Sequence, residues 1–227
     1  MLDAIPSIES FSQAVLSRMD AAWSYDRGTG RYRDEKGKFL SKASVEKLVD
    51  TRIEKLEAIL KRTTRMLSEG SITLDQWQSS VRELIKTAHI QAAIVGYGGR
   101  KNMGSAEFGR IGQKLRQEYE FLQGFARDML EQRISAPMAL ARIGLYARSV
   151  RSSYWEGTAM RQQEQGYSLM KRILDAQAQH CQSCVDYAAR GIVPMGTVPM
   201  PGIRCECRSR CKCSVLFFRQ QASVVPV

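Results

Sequence analysis

Apolar residues recur at three- and four-residue steps along most of this chain, the period of helices that bury one face. Ile8, Phe11, Val15, Met19 and Trp23 follow that period over residues 7–23 and predict a short amphipathic helix. From Ser44 onward a longer face is drawn by Val45, Leu48, Val49, Ile53, Leu56, Ile59, Leu60, Thr63 and Leu67, and Gly70 is placed to stop it. A third helix starts near Asp75 on Leu74, Trp77, Val81, Leu84, Ile85, Ala88 and Ala92. Gly96-Tyr97-Gly98-Gly99 ends it and opens a flexible, glycine-rich connection over 96–104. A fourth covers 105–132 with Phe108, Ile111, Leu115, Tyr119, Leu122 and Phe125 as its stripe. A fifth runs from an N-cap at Ser135 to about Gln165, with Pro137 in its first turn, where a missing N–H is harmless. Connections this short make neighbouring helices antiparallel. Residues 25–37, rich in glycine and charge, predict an exposed loop with one small hairpin.

The polar positions refine this picture. On the helix from Ser44, Lys47, Lys55, Lys61, Arg62 and Arg65 alternate with Glu46, Asp50, Glu54 and Glu57, the pattern of a solvated face. The fifth helix differs: Arg142, Arg148, Arg151 and Arg161 face only Glu156 and Glu164, with Tyr146, Tyr154 and Trp155 interleaved. Basic and aromatic residues together can grip phosphates and stack on bases. The same residues suit a helix whose aromatics are buried and whose arginines touch water or a neighbouring subunit, and this is the preferred reading. Arg148 and Arg151 are carried forward as candidate contacts with nucleic acid or a partner. The glycine-rich connection follows a helix rather than a strand and lacks P-loop lysine spacing, so it reads as a hinge.

Composition bounds the class. The chain has 227 residues, 44% of them hydrophobic and 25% charged, an ordinary balance for a folded domain with a small appendage. No apolar run approaches the roughly 18 residues that would span a bilayer. The start, Met1-Leu2-Asp3-Ala4-Ile5-Pro6, lacks the features of a secretory signal, which predicts a protein made in a cytoplasm. A formal net charge of +11 favours an acidic partner without naming it.

Near Tyr167 the helical period stops. Pro194, Pro199 and Pro201 join Gly191, Gly196 and Gly202 in a stretch with little material for a core. The expected organisation is an N-terminal helix and loop (1–43), a helical body (44–166), and a small, irregular, zinc-ribbon-like Cys-rich module with its tail (167–227). The fold class is mainly α, an antiparallel helical bundle bearing that module. All six cysteines lie in the module: Cys181 and Cys184, then Cys205, Cys207, Cys211 and Cys213. Cys181-x-x-Cys184 is a knuckle that lets two thiolates reach one ion, and 20 residues separate Cys184 from Cys205. Zinc takes four tetrahedral ligands, and a closed thiolate shell marks a structural site. The second pair is ambiguous, since Cys207 with Cys211 and Cys211 with Cys213 both serve. Six sulfurs would also suffice for two ions sharing bridging thiolates. Cys181, Cys184, Cys207, Cys211 and Cys213 are the candidate ligands, His180 reads as a neighbour, and disulfides are the alternative if the protein leaves the cell. Arg204, Arg208, Arg210 and Lys212 would favour thiolates nearby; Arg208 and Arg210 are further candidate partner contacts.

No sequence pattern of a known catalytic centre is present. GxSxG, HExxH, HxE…PCxxC and P-loop patterns are missing, and the two histidines, His89 and His180, have no sequence companion that would make an acid–base pair. A non-enzymatic protein is expected.

The run His180-Cys181-x-x-Cys184, a Gly/Pro-rich spacer with Pro201-Gly202, then Cys207-x-x-x-Cys211-x-Cys213 followed by Val215-Leu216 resembles the C-termini of phage minor head proteins. It is similar in style to the Mu-type head morphogenesis family, whose members end in a CxxC and a terminal CxC. The segment Arg31-Tyr32-Arg33-Asp34-Glu35-Lys36-Gly37-Lys38-Phe39 resembles one near the start of such proteins. The resemblance implies a minor capsid protein of the virion head. It would be assembled in the host cytoplasm, act near the portal or inner shell, and be present in several copies. Its partners would be major capsid or portal proteins and, if it lies inside the shell, packaged DNA, with no membrane involved. Cys181, Cys184, Cys211 and Cys213 are the matching positions. The rival expectation is a zinc-dependent nucleic-acid-binding protein.

Overall fold

A computed structural model of the chain describes residues 23–34 and 36–220. The helix expected over 7–23 lies outside the described residues except for Trp23, which opens a strand instead. Three short strands, β1 (Trp23–Asp26), β2 (Arg31–Asp34) and β3 (Phe39–Leu40), pair antiparallel in that order. This corrects the exposed loop with a single hairpin. Asp26 holds the first turn by accepting from the backbone N–H groups of Gly28 and Thr29, at 3.0 and 3.1 Å. The sheet is not simply exposed: Tyr25 and Tyr32 are buried, because Arg161 enters from the helical body. Its guanidinium lies 4.0 Å from the Tyr25 ring centroid and donates to the Tyr32 hydroxyl at 2.7 Å.

Four long helices follow: α1 (Lys42–Ser68), α2 (Leu74–Tyr97), α3 (Ser105–Leu130) and α4 (Ala136–Glu164). Each of α1, α2 and α4 has a side-chain N-cap, from Ser41, Thr73 and Ser135 respectively. The start of α1 falls before the Ser44 read from sequence, because Ser41 accepts from the Ser44 N–H and is the true cap. Gly98, at φ 94°, closes α2 in the left-handed conformation that glycine adopts without penalty. The connection after it is shorter than the glycine pattern suggested. Gly96 and Tyr97 are still helical, and Arg100–Asn102 form a 3₁₀ turn.

Side-chain pairs give the helix directions. Trp77 donates to Thr64 at 3.0 Å, Phe125 meets the Trp77 ring edge-on at 5.4 Å, and Arg142 donates to Asp128 at 2.6 Å. Consecutive helices are thus antiparallel, as the short connections require. The closest pair, however, is α2 with α4, which run parallel across the bundle. A Cβ at Gly96 would lie 2.0 Å from the Tyr154 carbonyl oxygen, and one at Gly157 would lie 2.3 Å from that of Ala93. Two glycines therefore let the backbones touch. Helix α4 is buried on most sides, with Ile143, Ala147, Tyr154 and Trp155 inside. No helix among the described residues is long and apolar enough to cross a membrane.

Beyond α4 the chain is more ordered than its composition suggested. Strands β4 (Leu169–Ile173), β5 (Val193–Pro194) and β6 (Ser214–Phe218) form a second antiparallel sheet in the order β5-β4-β6, and α5 (Gln182–Ala189) packs on β4. Met170, Val198 and Val215 are buried in the same core as the helices, and Lys42 donates to the Val215 carbonyl at 2.8 Å. The module is thus a buttressed part of the body. The cysteines form a second, smaller core beside it.

Candidate metal centre

Three pieces of backbone bring the cysteines together. The first is the start of α5: Cys181 occupies its N-cap position, and Cys184 lies one turn in, fully buried. The second is a tight turn over 205–211, held by backbone bonds from Arg208 N–H to the Cys205 carbonyl (2.8 Å), Arg210 to Cys207 (2.9 Å) and Cys211 to Arg208 (3.0 Å). Arg208 sits there at φ 43°, a conformation non-glycine residues rarely adopt. The third is β4, which points Arg172 at the sulfurs.

Cys184, Cys205, Cys207 and Cys211 have all their sulfurs within 4.8 Å of one another. Cys184 lies 3.6 Å from Cys207 and 3.7 Å from Cys211, and Cys205 lies 3.4 Å from Cys207. Four thiolates about 2.3 Å from a central zinc would stand about 3.8 Å apart along each tetrahedral edge. A disulfide needs about 2.05 Å, so the described cysteines are free. The four-sulfur set can hold a metal ion, and its spacing suits tetrahedral thiolate coordination.

Arg172 is the electrostatic counterpart. It is buried, with Nη2 at 3.4 Å from Cys211 Sγ and 3.6 Å from Cys184 Sγ, while Nη1 donates to the Pro199 carbonyl at 2.7 Å. Burial opposes its charge, but hydrogen bonding to Cys213 and the negative potential of Cys211, Cys213 and Cys184 outweigh that and raise its pKa. A buried guanidinium needs buried anions, and among the described residues its Nη2 contacts the sulfurs of Cys184 and Cys211. The sulfurs in turn resist ionising together. Burial and then the Cys211 charge push Cys184 up; the bond to Cys211, then burial, pushes Cys205 up to about 12; and burial, then Cys205, pushes Cys207 up to about 11. Cys211 is shifted down, chiefly by the bond from Cys205, against its burial. One guanidinium cannot hold four thiolates; a divalent cation among them can.

The set differs from the sequence candidates. Cys184, Cys207 and Cys211 are in it, and Cys205, which was not a candidate, completes it. Cys181 and Cys213 flank it. Cys181, half-buried at the N-cap of α5, and Cys213, fully buried, lie outside the mutually close set. His180 lies with Nδ1 at 3.8 Å from Cys213 Sγ and Nε2 donating to the Asp175 carbonyl at 2.7 Å, a neighbour as expected. The missed signal was Cys205-x-Cys207, the same spacing as Cys211-x-Cys213. Nothing local in the sequence marks Arg172.

The candidate arginines divide. Arg148 makes a two-pronged pair with Glu57 (2.8 and 3.0 Å), and Arg151 pairs with Asp50. Their acids come from α1, which a reading of α4 alone could not supply. Tyr146, Tyr154 and Trp155 are buried, so α4 offers no stacking face. Arg208 and Arg210 are exposed and line a cleft of about 1440 Å³ between the cysteine turn and helices α3 and α4. His89 is a fully buried packing residue between Ser153 (2.7 Å) and Ser149 (3.3 Å), and burial, then Lys114, lowers its pKa to about 3.

Comparison with protein-family models, with curated proteins and with solved structures finds no match to this chain.

Proposed function

We propose that the protein is a non-enzymatic structural component whose C-terminal module is fastened by zinc, and that it serves in phage head assembly as a minor capsid protein near the portal or inner shell. The carrying observation for the metal is the buried Arg172 set against four clustered sulfurs. Zinc suits thiolate donors at tetrahedral spacing, and four protein ligands close its coordination shell, the arrangement of a structural ion. The ion would be held by Cys184, Cys205, Cys207 and Cys211, and zinc with four thiolates carries a net charge of about −2, of which Arg172 offsets one. It would brace α5 and the 205–211 turn against β4.

The assembly role draws on the resemblance of residues 180–216 to phage minor head proteins. It also suits a rigid bundle with exposed apolar side chains, among them Phe121, Leu130 and Met138. Major capsid or portal subunits are the proposed partners. The nucleic-acid-binding reading retains the exposed Arg204, Arg208 and Arg210 in the cleft, but loses the aromatic half of its argument to burial. Location by cryo-EM density in purified particles tests the first reading directly. Association with capsid or portal that survives moderate salt supports it. Binding to DNA that falls by orders of magnitude between low and moderate salt, with no density in the head, supports the rival.

A further inference from the structure

The cleft of about 1440 Å³ runs along α4, bounded by α3 and by the segment 200–210 that carries the cysteine turn. Its lining is of two kinds. Phe121 on α3, Leu145 on α4 and Ile203 on the facing segment leave large apolar side chains 56%, 38% and 37% exposed. Three such side chains in one concavity form a patch, unlike the single exposures scattered over any surface. Arg110 on α3 and Arg204, Arg208 and Arg210 on the turn are exposed as well. Among the described residues no carboxylate forms an ion pair with any of these four. The other cations in the lining are already matched, Lys114 to Glu156 at 3.0 Å and Arg142 to Asp128 at 2.6 Å.

We infer that this cleft receives a helix of a partner protein, about three turns long, with aliphatic side chains on one face and carboxylates on the other. The dimensions select a helix. From Arg110 to Phe121 the α3 wall extends about 16 Å at 1.5 Å per residue. The volume spread over that length gives a cross-section of about 90 Å². A helix with its side chains, 10–12 Å across, occupies about 80–110 Å². A single extended strand occupies about 50 Å² and would leave the cleft half empty. The chemistry selects the faces. Aliphatic residues cover Phe121 and Leu145, while carboxylates meet guanidinium groups that have no acid of their own and pair with them through two parallel hydrogen bonds. Single-stranded nucleic acid fits less well. Of the two aromatic residues in the lining Tyr146 is buried, which leaves Phe121 alone to stack a base, and phosphates would run beside the exposed Glu206. The inference adds a partner chemistry to the assembly role proposed above and rests on that role only for which protein supplies the helix.

The probe is a fluorescein-labelled, hydrocarbon-stapled synthetic helix of about 14 residues, with leucines on one face and glutamates elsewhere. Its anisotropy with the full chain is compared with that of three others: the same leucine face with lysines, the glutamates without the leucines, and oligothymidylate of equal charge. The acidic amphipathic helix should bind at least about tenfold tighter than either altered peptide. Arg110→Glu and Leu145→Gln in the protein should each weaken it by about tenfold. Both positions are exposed and lie on helices rather than in the cysteine turn, and circular dichroism checks that the variants fold. Should Leu145→Gln fail to fold, Phe121→Ser on α3 takes its place. Failure of the acidic helix to bind, equal binding of its lysine counterpart, or undiminished binding to the variants overturns the inference. Binding that needs the glutamates but not the leucines overturns it too, since charge alone would then draw the peptide. Tighter binding of oligothymidylate, weakened by Arg110→Glu, assigns the cleft to nucleic acid instead. None of these outcomes depends on where the protein sits in a particle, so the assembly role stands or falls separately.

Discussion

The contact between α2 and α4 allows one substitution to be worked through from the structure. Gly157→Ala adds a methyl group 2.3 Å from the Ala93 carbonyl oxygen and 3.0 Å from the Tyr97 nitrogen. Ordinary contact begins near 3.4 Å, so the helices must part by about 1 Å to admit it. Both obstructing atoms are backbone within a helix and cannot rotate away. Overpacking of this kind costs about 1–3 kcal/mol, and the rigid neighbours put this case at the upper end. Alanine's better helix propensity returns up to about 1 kcal/mol, which leaves a net loss of about 2 kcal/mol. For a chain of this size that lowers the melting temperature by about 4–8 °C. Gly109→Ala is the matched control: its position on α3 is exposed, with nothing within 4 Å of the added carbon. The same chemical change should there stabilise by about 0.5–1 kcal/mol. Urea denaturation followed by far-UV circular dichroism compares the two. An unfolding midpoint for Gly157→Ala at or above that of the parent would refute the backbone contact.

Three further outcomes follow. Strong chelation should open the 205–211 turn and let trypsin cut after Arg204, Arg208 or Arg210, while the helical signal persists on the separate Trp77–Phe125 core; resistance to cleavage after metal removal would contradict a metal-fastened turn. Arg172→Met removes the charge facing the sulfurs, and breaking such a buried pair typically costs about 3–5 kcal/mol. A variant that keeps its metal and its melting temperature would show that Arg172 is not the counter-charge. His89 has a folded pKa of about 3, below its ordinary value near 6.5, so the unfolded chain binds the extra proton first. Its stabilising contribution is present above pH 6.5 and is lost as pH falls toward 3, with about 2 kcal/mol gone between pH 7 and pH 5. His89→Leu should flatten that part of the stability–pH curve relative to the parent, and parallel curves would exclude the histidine as the cause.

The helices were legible because α1, α2 and α3 each bury a continuous stripe, and α1, α2 and α4 are capped by side chains that bond locally, as at Ser135. What needed three dimensions was every relation between distant segments. Gly96 looked like a terminator, since glycine weakens an isolated helix; its purpose is contact with Tyr154, 58 positions away. Strands of two to five residues are too short to show alternation, so the sheet around β4 read as irregular. Arg148 and Arg151 looked unpaired because Glu57 and Asp50 lie on α1. At the candidate metal centre, the clustering of cysteines pointed to metal-binding chemistry. The membership of the set turned on the 205–211 turn, and the turn depends on backbone bonds that no spacing rule contains.

The glycine contact between α2 and α4 also bears on how this molecule can deform. Two rods whose main chains interlock cannot shear past each other without driving a carbonyl oxygen into a neighbouring turn, so this pair serves as an axle. Helix α3 carries Gly109, Gly112 and Gly124 with open space around each, and no comparable interlock. Any adjustment of shape would fall on α3 and its flanking turns, while the axle and the sheet seated on it hold station.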